Sequence, residues 1–340
     1  MLHTRIKQAL RRSLGHTAPL AVRLRARPSL LILTYHRVLP ATHPARRTEQ
    51  PGMYVSPDTL ALHLQVLRRH FAIIDLGVWL KRRREGAALP ARACCITFDD
   101  GWQDNYTYGF PVLAAAQVPA TIFLVADFIG SRYRFWPNRL AQLLGVLDAD
   151  HLADLPDELS AVLAAAGFVA GVPGGMVDIG RIDAVINAAK SLSDETLVQL
   201  LDTAEARLGV AADAQSRDLL NADEIMTMRD SGLVAFGSHS RRHQRLLAGI
   251  NPATLDDELL QSRAIIERVV ERPVELFCYP NGDWSVAALA LVRRAYLAAV
   301  TTVPGWNQPQ SDLHLLRRMS VHEDVGADEA SFMARVAGLV

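Results

Sequence analysis

Cysteine is scarce in this chain, because only Cys94, Cys95 and Cys278 occur among its 340 residues. An odd number of thiols in apparent strands argues against a disulfide framework and indicates buried thiols in a reducing compartment. Net charge is absent too, since the formal net charge at pH 7 is +0. Nucleic-acid binding needs a concentrated basic face, so we expect no nucleic-acid partner.

Long apolar runs are also missing. A secretory signal needs an uninterrupted apolar core of about seven to fifteen residues, and the N-terminal segment offers no apolar run longer than residues 18–22. The apolar stretch 162–172 is shorter than the roughly 20 residues that span a bilayer. We therefore expect a cytoplasmic protein. Its N-terminal segment could hold it at a membrane surface.

Acidic residues are lacking at the start of the chain. The first one is Glu49, so residues 1–28 form a basic arm. Its cationic residues are Arg5, Lys7, Arg11, Arg12, Arg23, Arg25 and Arg27. Ile6, Leu10 and Leu14 recur every four residues, which is typical of a short amphipathic helix on an anionic membrane surface or on a partner. The arm could instead pack on the domain, fray, or act as an organelle transit peptide.

Short apolar, β-branched runs alternate with helical patterns along most of the chain. This alternation is typical of repeated βα units around a parallel sheet or barrel. With 50% hydrophobic residues the chain can bury one large α/β domain with an appendage. The strand candidates are 30–35, 72–76, 94–98, 120–125, 233–237, 274–279, 296–301 and 315–321. Helices are predicted over 58–70, with Ser56 as the N-cap, and over 252–270.

The pattern changes between about residues 131 and 220, where Ala, Leu, Asp and Glu dominate and strand patterns are few. This segment predicts a helical insertion. Because it enters between two strand candidates, it could cover the face that carries the functional residues and contribute to substrate selection.

Chemically useful side chains follow the carboxyl ends of several strand candidates. Asp99 and Asp100 end one run, while His36, His239 and Tyr279 lie at or just past the ends of three others. In β/α barrels the active site is assembled at this face from the ends of several strands. We therefore expect one convergent site.

His239 and His243 are four residues apart, a spacing that points both imidazoles the same way on one turn of helix or in a tight loop. Alone, an Asp-Asp pair is more often a solvated turn, and such a pair of histidines more often belongs to the surface or the core. Together, two His and one Asp form a metal site that leaves positions open for water and substrate, as in catalytic zinc sites. The second carboxylate is then a candidate base.

Four motifs resemble those of the polysaccharide deacetylases of the NodB-homology type, carbohydrate esterase family 4. They are Thr97–Gly101, His239–His243, Phe277–Gly282 and Leu33–Val38. The last motif is typical of the subgroup with a circularly permuted barrel, in which a histidine near the N-terminus replaces one near the C-terminus. The resemblance implies a distorted (β/α)7 barrel over residues 29–340, interrupted by the insertion at 131–220. At least one of the eight strand candidates should then be peripheral.

The resemblance also implies roles for the site residues. Asp100, His239 and His243 would bind a divalent metal, with Zn²⁺ expected first and Co²⁺ or Ni²⁺ as alternatives. Asp99 would be the general base that deprotonates the attacking water. The backbone N–H of Tyr279 would help to hold the oxyanion.

His36 is the candidate general acid, because an imidazole can hold a proton near neutral pH and release it to the leaving nitrogen. His322 and His314 are competing candidates, since ordinary members of the family place the acid near their C-terminus. His36 could alternatively be a hydrogen-bonded core residue.

The chain departs from the family pattern at residues 275–277, where the usual motif carries an arginine that orients the catalytic Asp. Arg318 or Arg317 could replace it, and the alternative for each is an ordinary surface arginine. Trp102 and Trp136 lie in predicted loops, where flat aromatic faces commonly stack on sugar rings, so both are candidate substrate contacts. A loop tryptophan is also commonly a partial cap of the core.

These residues predict a metal-dependent hydrolase of linear amides that removes N-acetyl groups from an amino sugar in an oligosaccharide, a polysaccharide or exopolysaccharide precursor, or a lipid-linked glycan. An O-acetyl esterase and a glycan-binding relic without catalysis are alternatives. A non-haem Fe(II) oxygenase also uses two His and a carboxylate. Such a site does not need a second Asp, however, and parallel βα units are the wrong scaffold for it.

Overall fold

The computed structural model describes residues 11, 13–25, 27–148, 150–169, 179–210 and 217–340. The chain divides into two compact units. The barrel unit comprises Met1–Pro40, Gly52–Ser131 and Leu219–Val340, and the helical unit comprises Ala41–Pro51 and Arg132–Asp218.

The barrel unit is built on parallel strands. They are β1 Ser29–Tyr35, β2 Arg37–Val38, β3 Tyr54–Val55, β4 Ala72–Ile73, β5 Arg92–Phe98, β6 Ala120–Leu124, β7 Val234–Ser238, β8 Leu276–Cys278, β9 Ala298–Pro304 and β10 Leu316–Ser320. The order β1-β10-β9-β8-β7-β6-β5 closes on itself because β5 also pairs with β1, from Ser29 opposite Arg92 to Tyr35 opposite Phe98. The predicted α/β fold with a closed seven-stranded barrel is thus confirmed.

The peripheral member of the eight predicted strands is the run 72–76. Only Ala72–Ile73 forms a strand, β4, which pairs with the first half of β5 and takes no part in the ring. The prediction extended this strand too far, because Asp75 caps a helix that starts at Leu76. The Asp75 side chain accepts a hydrogen bond from the backbone N–H of Val78 at 2.9 Å.

Helices connect the strands of the barrel unit. They are Ala18–Arg23, Pro57–His70, Leu76–Arg84, Phe110–Ala116, Ala222–Asp230, Pro252–Asp256, Ser262–Val270, Val286–Ala295, Glu323–Gly326 and Glu329–Val336, with π turns at Asn105–Gly109 and Asp257–Gln261. Ser56 caps the first long helix as predicted, since its hydroxyl accepts from the N–H of Thr59 at 3.1 Å. The helix predicted over 252–270 is interrupted by the second π turn.

Alternation along the strands separates two apolar layers. The interior layer takes every second residue, such as Leu30 and Ile32 of β1, Cys95 of β5 and Cys278 of β8, together with Trp79 from a neighbouring helix. The remaining strand residues pack against the surrounding helices. Because side chains alternate with period two, Asp99 continues the interior face of β5.

The helical unit has its own apolar core. Its helices are Trp136–Leu144, Asp157–Ala165, Ile179–Ala189 and Asp194–Leu208. Residues 41–51 join this unit, and Asn138 donates a hydrogen bond to Glu49 there at 2.8 Å. The sequence predicts the helices but not the contribution of 41–51.

Much of the predicted basic arm lies outside the described residues, including Ile6 and Leu10 of the proposed amphipathic pattern. The described part contains the helix Ala18–Arg23, whose Ala18 and Val22 are buried in the barrel unit. Among the described residues, no helix combines the length and apolarity that crossing a bilayer requires.

His63 ties the helix Pro57–His70 to other parts of the barrel unit. Its Nε2–H donates to the carbonyl of Gly326 at 2.7 Å, and its Nδ1 accepts from the hydroxyl of Tyr35 at 3.1 Å. The ring also stacks on Phe332 with centroids 3.8 Å apart. Burial of this imidazole lowers the pKa of His63 to about 4, so the residue is neutral in the folded protein at pH 7.

A neutral buried histidine makes stability fall with decreasing pH. Unfolded His63 takes up a proton below about pH 6.5, whereas the folded protein resists protonation down to about pH 4. The unfolded state therefore binds more protons between these values, and the free energy of unfolding decreases as the pH drops. For metal-free protein unfolded in urea, we expect His63→Gln to remove up to about 3 kcal/mol of this pH dependence. His16→Gln, at an exposed position, should leave it unchanged; an unaltered pH dependence in the His63 variant would contradict the assignment.

Candidate active site

The two adjacent carboxylates at the end of β5 point in different directions. The N–H of Asp99 still donates to the carbonyl of Tyr35 at 3.0 Å and so extends the strand pairing. Asp100 and Gly101 then adopt left-handed backbone conformations, with φ of 72° and 74°. Asp tolerates this conformation better than most residues, and glycine adopts it without steric strain. The sharp turn directs the two neighbouring carboxylates to different partners, Arg318 for Asp99 and Trp102 for Asp100.

Asp100, His239 and His243 form a compact cluster of potential metal ligands. Oδ1 of Asp100 lies 3.4 Å from Nε2 of His239 and 3.5 Å from Nε2 of His243. Tetrahedral zinc with bonds of about 2.1 Å separates its ligand atoms by roughly 3.4 Å. The residues present therefore fit one divalent ion with at least one position left open.

The histidines of this cluster are carried by a loop rather than by a helical turn. His239 directly follows β7, and Ser240 and His243 have positive φ values of 65° and 61°. Nδ1 of His239 lies 2.8 Å from the carbonyl oxygen of Cys278, to which it can donate, which directs Nε2 towards Asp100. Burial lowers the pKa of His243 to about 4, so its ring is neutral at pH 7, the form that binds a metal.

Trp102 forms a hydrogen bond with the other carboxylate oxygen of Asp100. Its indole N–H donates to Oδ2 at 2.9 Å, which leaves Oδ1 for a metal. The expectation of a sugar-stacking ring at Trp102 is not met, because its side chain is 2% exposed and the Arg37 guanidinium lies 4.1 Å from the ring centroid. Trp136 is also buried, in the core of the helical unit, where its indole N–H donates to Asp194 at 3.1 Å.

Asp99 is held by Arg318 of β10. The guanidinium donates two parallel hydrogen bonds, each 2.7 Å long, to the two carboxylate oxygens. Nε of Arg318 donates to the carbonyl of Thr301 at 2.9 Å, and the residue is only 1% exposed. Arg317, the other residue considered for this contact, is exposed. Burial raises the pKa of Asp99, but the charge and hydrogen bonds of Arg318 outweigh this effect and hold the pKa below its usual value.

His36 also lies beside this carboxylate, as His239 does. Its Nε2 lies 4.0 Å from Oδ2 of Asp99, and its side chain is 23% exposed, so solvent or substrate can reach it. His314 lies elsewhere, because its Nε2 contacts the carbonyl of Tyr296, which precedes β9 and thus marks the amino end of the barrel strands. His322 follows β10 at the carboxyl end, and no contact between it and either Asp is seen among the described residues.

Tyr279 does not offer the backbone donor expected of it. Its N–H donates to the carbonyl of Val300 at 3.2 Å, continuing the pairing of β8 with β9, and its side chain is buried. Two residues later Asn281 adopts a left-handed conformation with φ of 55°, and its N–H has no partner within the described part of the chain. In the sequence, Pro280-Asn281-Gly282 predicts a turn at this position, and this turn is the local signal for the Asn281 amide.

Comparisons with known proteins agree with this architecture. The sequence profile of polysaccharide deacetylases matches residues 86–168 and 189–300, which is more than half of the chain. A poly-beta-1,6-N-acetyl-D-glucosamine N-deacetylase of Staphylococcus epidermidis is 32% identical over 111 residues, 30% of this chain and 38% of that protein. The chain thus matches less than half the length of this curated relative.

Two solved structures share the fold. The Streptococcus pyogenes deacetylase PplD in complex with acetate superposes with a TM-score of 0.60 at 14% identity, covering 91% of this chain and 99% of that one. IcaB from Ammonifex degensii superposes with a TM-score of 0.57 at 18% identity, covering 90% and 97%. The profile match, with the Asp-Asp and His-x-x-x-His motifs inside it, shows that the chain belongs to the polysaccharide deacetylase family.

Proposed function

We propose that this protein is a metal-dependent N-deacetylase that hydrolyses the acetamido group of an amino sugar within a glycan. The observation that carries the proposal is the juxtaposition of two sites. The ligand cluster of Asp100, His239 and His243 lies beside a buried carboxylate, Asp99, that Arg318 keeps ionised. A metal-ligand cluster next to a separate ionised base suits the hydrolysis of an unreactive amide.

Each chemical task has a candidate residue. A divalent ion, for which Zn²⁺ is our first choice, would polarise the acetyl carbonyl and lower the pKa of a water molecule. Asp99 accepts the proton of the attacking water, and His36 donates a proton to the departing nitrogen. The N–H of Asn281, for which no partner is seen among the described residues, is the backbone candidate for stabilising the tetrahedral oxyanion. In this scheme His36 follows β1, as the circularly permuted arrangement requires, and that arrangement is part of the proposal.

The nature of the substrate is supported by similarity. A relative that is named for N-deacetylation of poly-beta-1,6-N-acetyl-D-glucosamine shares 32% identity over the matched segment, so an N-acetylated glycan is the substrate class we propose. O-acetyl ester hydrolysis uses the same carbonyl chemistry and is the alternative to test. The closed parallel barrel agrees with the scaffold argument against an Fe(II) oxygenase. Cytoplasmic location and membrane contact by residues 1–28 stay predictions from the sequence.

Acetate release tests this proposal. The protein is stripped with a chelator and reloaded with Zn²⁺, Co²⁺ or Ni²⁺, then incubated with β-1,4- and β-1,6-linked N-acetylglucosamine oligomers and with O-acetylated glycans. We expect acetate from an N-acetylated oligomer only after metal is restored, in proportion to bound metal. His243→Ala should lose both metal and activity, whereas His16→Ala should retain both.

Two results would contradict the proposal. Acetate release that is indifferent to chelation would remove the metal from the mechanism. Stoichiometric metal binding and glycan binding without acetate from any substrate would favour the non-catalytic alternative, and release from O-acetyl substrates alone would favour the esterase.

A further inference from the structure

The loop that carries the two histidine ligands is held in an unfavourable backbone conformation. We call residues 239–243 the metal-ligand loop. Ser240 and His243 have left-handed φ values of 65° and 61°, a conformation that side chains with a Cβ atom disfavour. Such a loop persists only when its surroundings hold it in place.

One side of the metal-ligand loop is bound by the segment that follows β6. The N–H of Ala126 donates to the carbonyl of Ser240 at 3.1 Å, and the N–H of Asp127 donates to the carbonyl of Arg241 at 2.9 Å. These two bonds satisfy carbonyl groups of the loop. The N–H groups of the metal-ligand loop therefore need acceptors in another part of the chain.

A single buried carboxylate binds two of those N–H groups. Oε2 of Glu258 accepts from the backbone N–H of Arg241 at 3.0 Å and from that of Arg242 at 2.9 Å. Its Oε1 accepts from Nε of Arg242 at 3.1 Å. Glu258 is 0% exposed. Hydrogen bonds to an ionised acceptor are stronger than those between neutral groups, so this residue can hold the loop firmly.

The position of Glu258 is set by the π turn Asp257–Gln261. Leu255 and Leu259 on the same buried face are apolar, so Glu258 is a polar exception within an apolar stripe. Directly after the π turn, the hydroxyl of Ser262 lies 2.9 Å from that of Ser238, the last residue of β7. The carboxylate is therefore fixed relative to the strand from which the loop emerges, and π turns are frequent at functional sites.

We propose that Glu258 is a positioning residue for the metal site, which binds the backbone of the metal-ligand loop and thereby orients His239 and His243 towards one ion. The inference rests on the proposed metal-dependent function and deepens it. Glu258 itself touches neither the metal ligands' ring nitrogens nor the reacting groups. Loss of its carboxylate should weaken metal binding while leaving the ligand set intact.

Asp257 provides a matched control within the same π turn. It binds the side chains of the same two arginines, Arg241 and Arg242. Its side chain is 27% exposed, and it accepts no backbone N–H of the metal-ligand loop within the described residues. A general loss of negative charge near the loop would affect both variants alike, whereas loss of backbone support affects only Glu258.

The experiment is a Co²⁺ titration of the metal-free full chain, followed by visible absorption, for the wild type, Glu258→Gln and Asp257→Asn. Gln keeps the size of the side chain but replaces one acceptor oxygen by an NH₂ group. We expect the Kd for Co²⁺ to rise roughly 10- to 100-fold in Glu258→Gln, as for other groups that orient metal ligands. Asp257→Asn should stay within about twofold of the wild type.

The outcomes separate this inference from the proposed function. Equal Co²⁺ affinity of Glu258→Gln and the wild type would overturn the positioning role and leave the deacetylase proposal standing. A wild-type protein that binds no divalent ion would overturn both. If Glu258→Gln does not fold, hydrogen exchange of the wild type decides: the amides of Arg241 and Arg242 should be protected like that of His239, which donates to Leu124 at 2.8 Å. Rapid exchange of those two amides would overturn the inference.

Discussion

Asp99→Asn should lower kcat for acetate release by roughly 10²- to 10⁴-fold, the range that a positioned general base contributes. Asn keeps the shape of the side chain but cannot take the proton of the attacking water. Because both carboxylate oxygens of Asp99 accept hydrogen bonds from Arg318, the variant should still bind one equivalent of metal at Asp100, His239 and His243. Initial rates at saturating substrate, together with the bound-metal content of the same sample, measure both effects.

Asp100→Asn is the matched control for this experiment, since it changes the adjacent residue in the same way. It should lose metal affinity, and its remaining activity should depend on the metal concentration. A kcat for Asp99→Asn within about threefold of the wild type would rule out Asp99 as the base. Circular dichroism must show a native fold, because the Arg318 guanidinium loses its buried counter-charge in this variant.

Arg318→Met should destabilise the protein by about 3–5 kcal/mol, the usual effect of removing one partner of a buried ion pair. The side chain of Met fills most of the volume, so the loss reports mainly the unpaired carboxylate of Asp99. The same change removes the main influence that lowers the pKa of Asp99. The pKa therefore rises, the base is protonated over a wider range, and the acidic limb of kcat/KM should move to higher pH.

Two further variants sharpen this prediction. Arg318→Lys keeps the positive charge but loses the two parallel hydrogen bonds, so it should fall between the wild type and Arg318→Met in stability and in the position of the acidic limb. Arg317→Met changes an exposed neighbour and should alter neither. If Arg318→Met unfolds at the wild-type urea concentration and keeps the wild-type pH profile, Arg318 does not support the base.

The arginine that contacts Asp99 shows how much of the site local sequence patterns can predict. The missing arginine at residues 275–277 predicts a replacement near the end of a late strand, and both Arg317 and Arg318 lie there. Side chains alternate between the two faces of β10. Arg318 lies on the same face as Leu316 of the interior layer, whereas Arg317 lies on the opposite face. That distinction requires knowing which face of the strand points into the barrel.

For the two tryptophans, the local sequence pattern gives the wrong prediction. Loop positions in the sequence predict accessible rings at Trp102 and Trp136, but both side chains are buried. Burial of a loop residue depends on what packs over it, here the Arg37 guanidinium for Trp102. Glu258 likewise stands out only slightly in the sequence, as a charged residue in an apolar helical stripe, and its partners lie on a separate loop.

The sequence by itself determines the candidate site residues of this protein and the face on which they lie. Asp99 and Asp100 after an apolar run, and His239 and His243 four residues apart, are local patterns, and the carboxyl ends of parallel strands necessarily meet at one edge. Only the tertiary structure decides that β4 is outside the ring, that Tyr279 uses its N–H within the sheet, and that Arg318 binds Asp99. These features depend on contacts between distant parts of the chain, 219 positions apart for the last pair, and no local pattern encodes such a pairing.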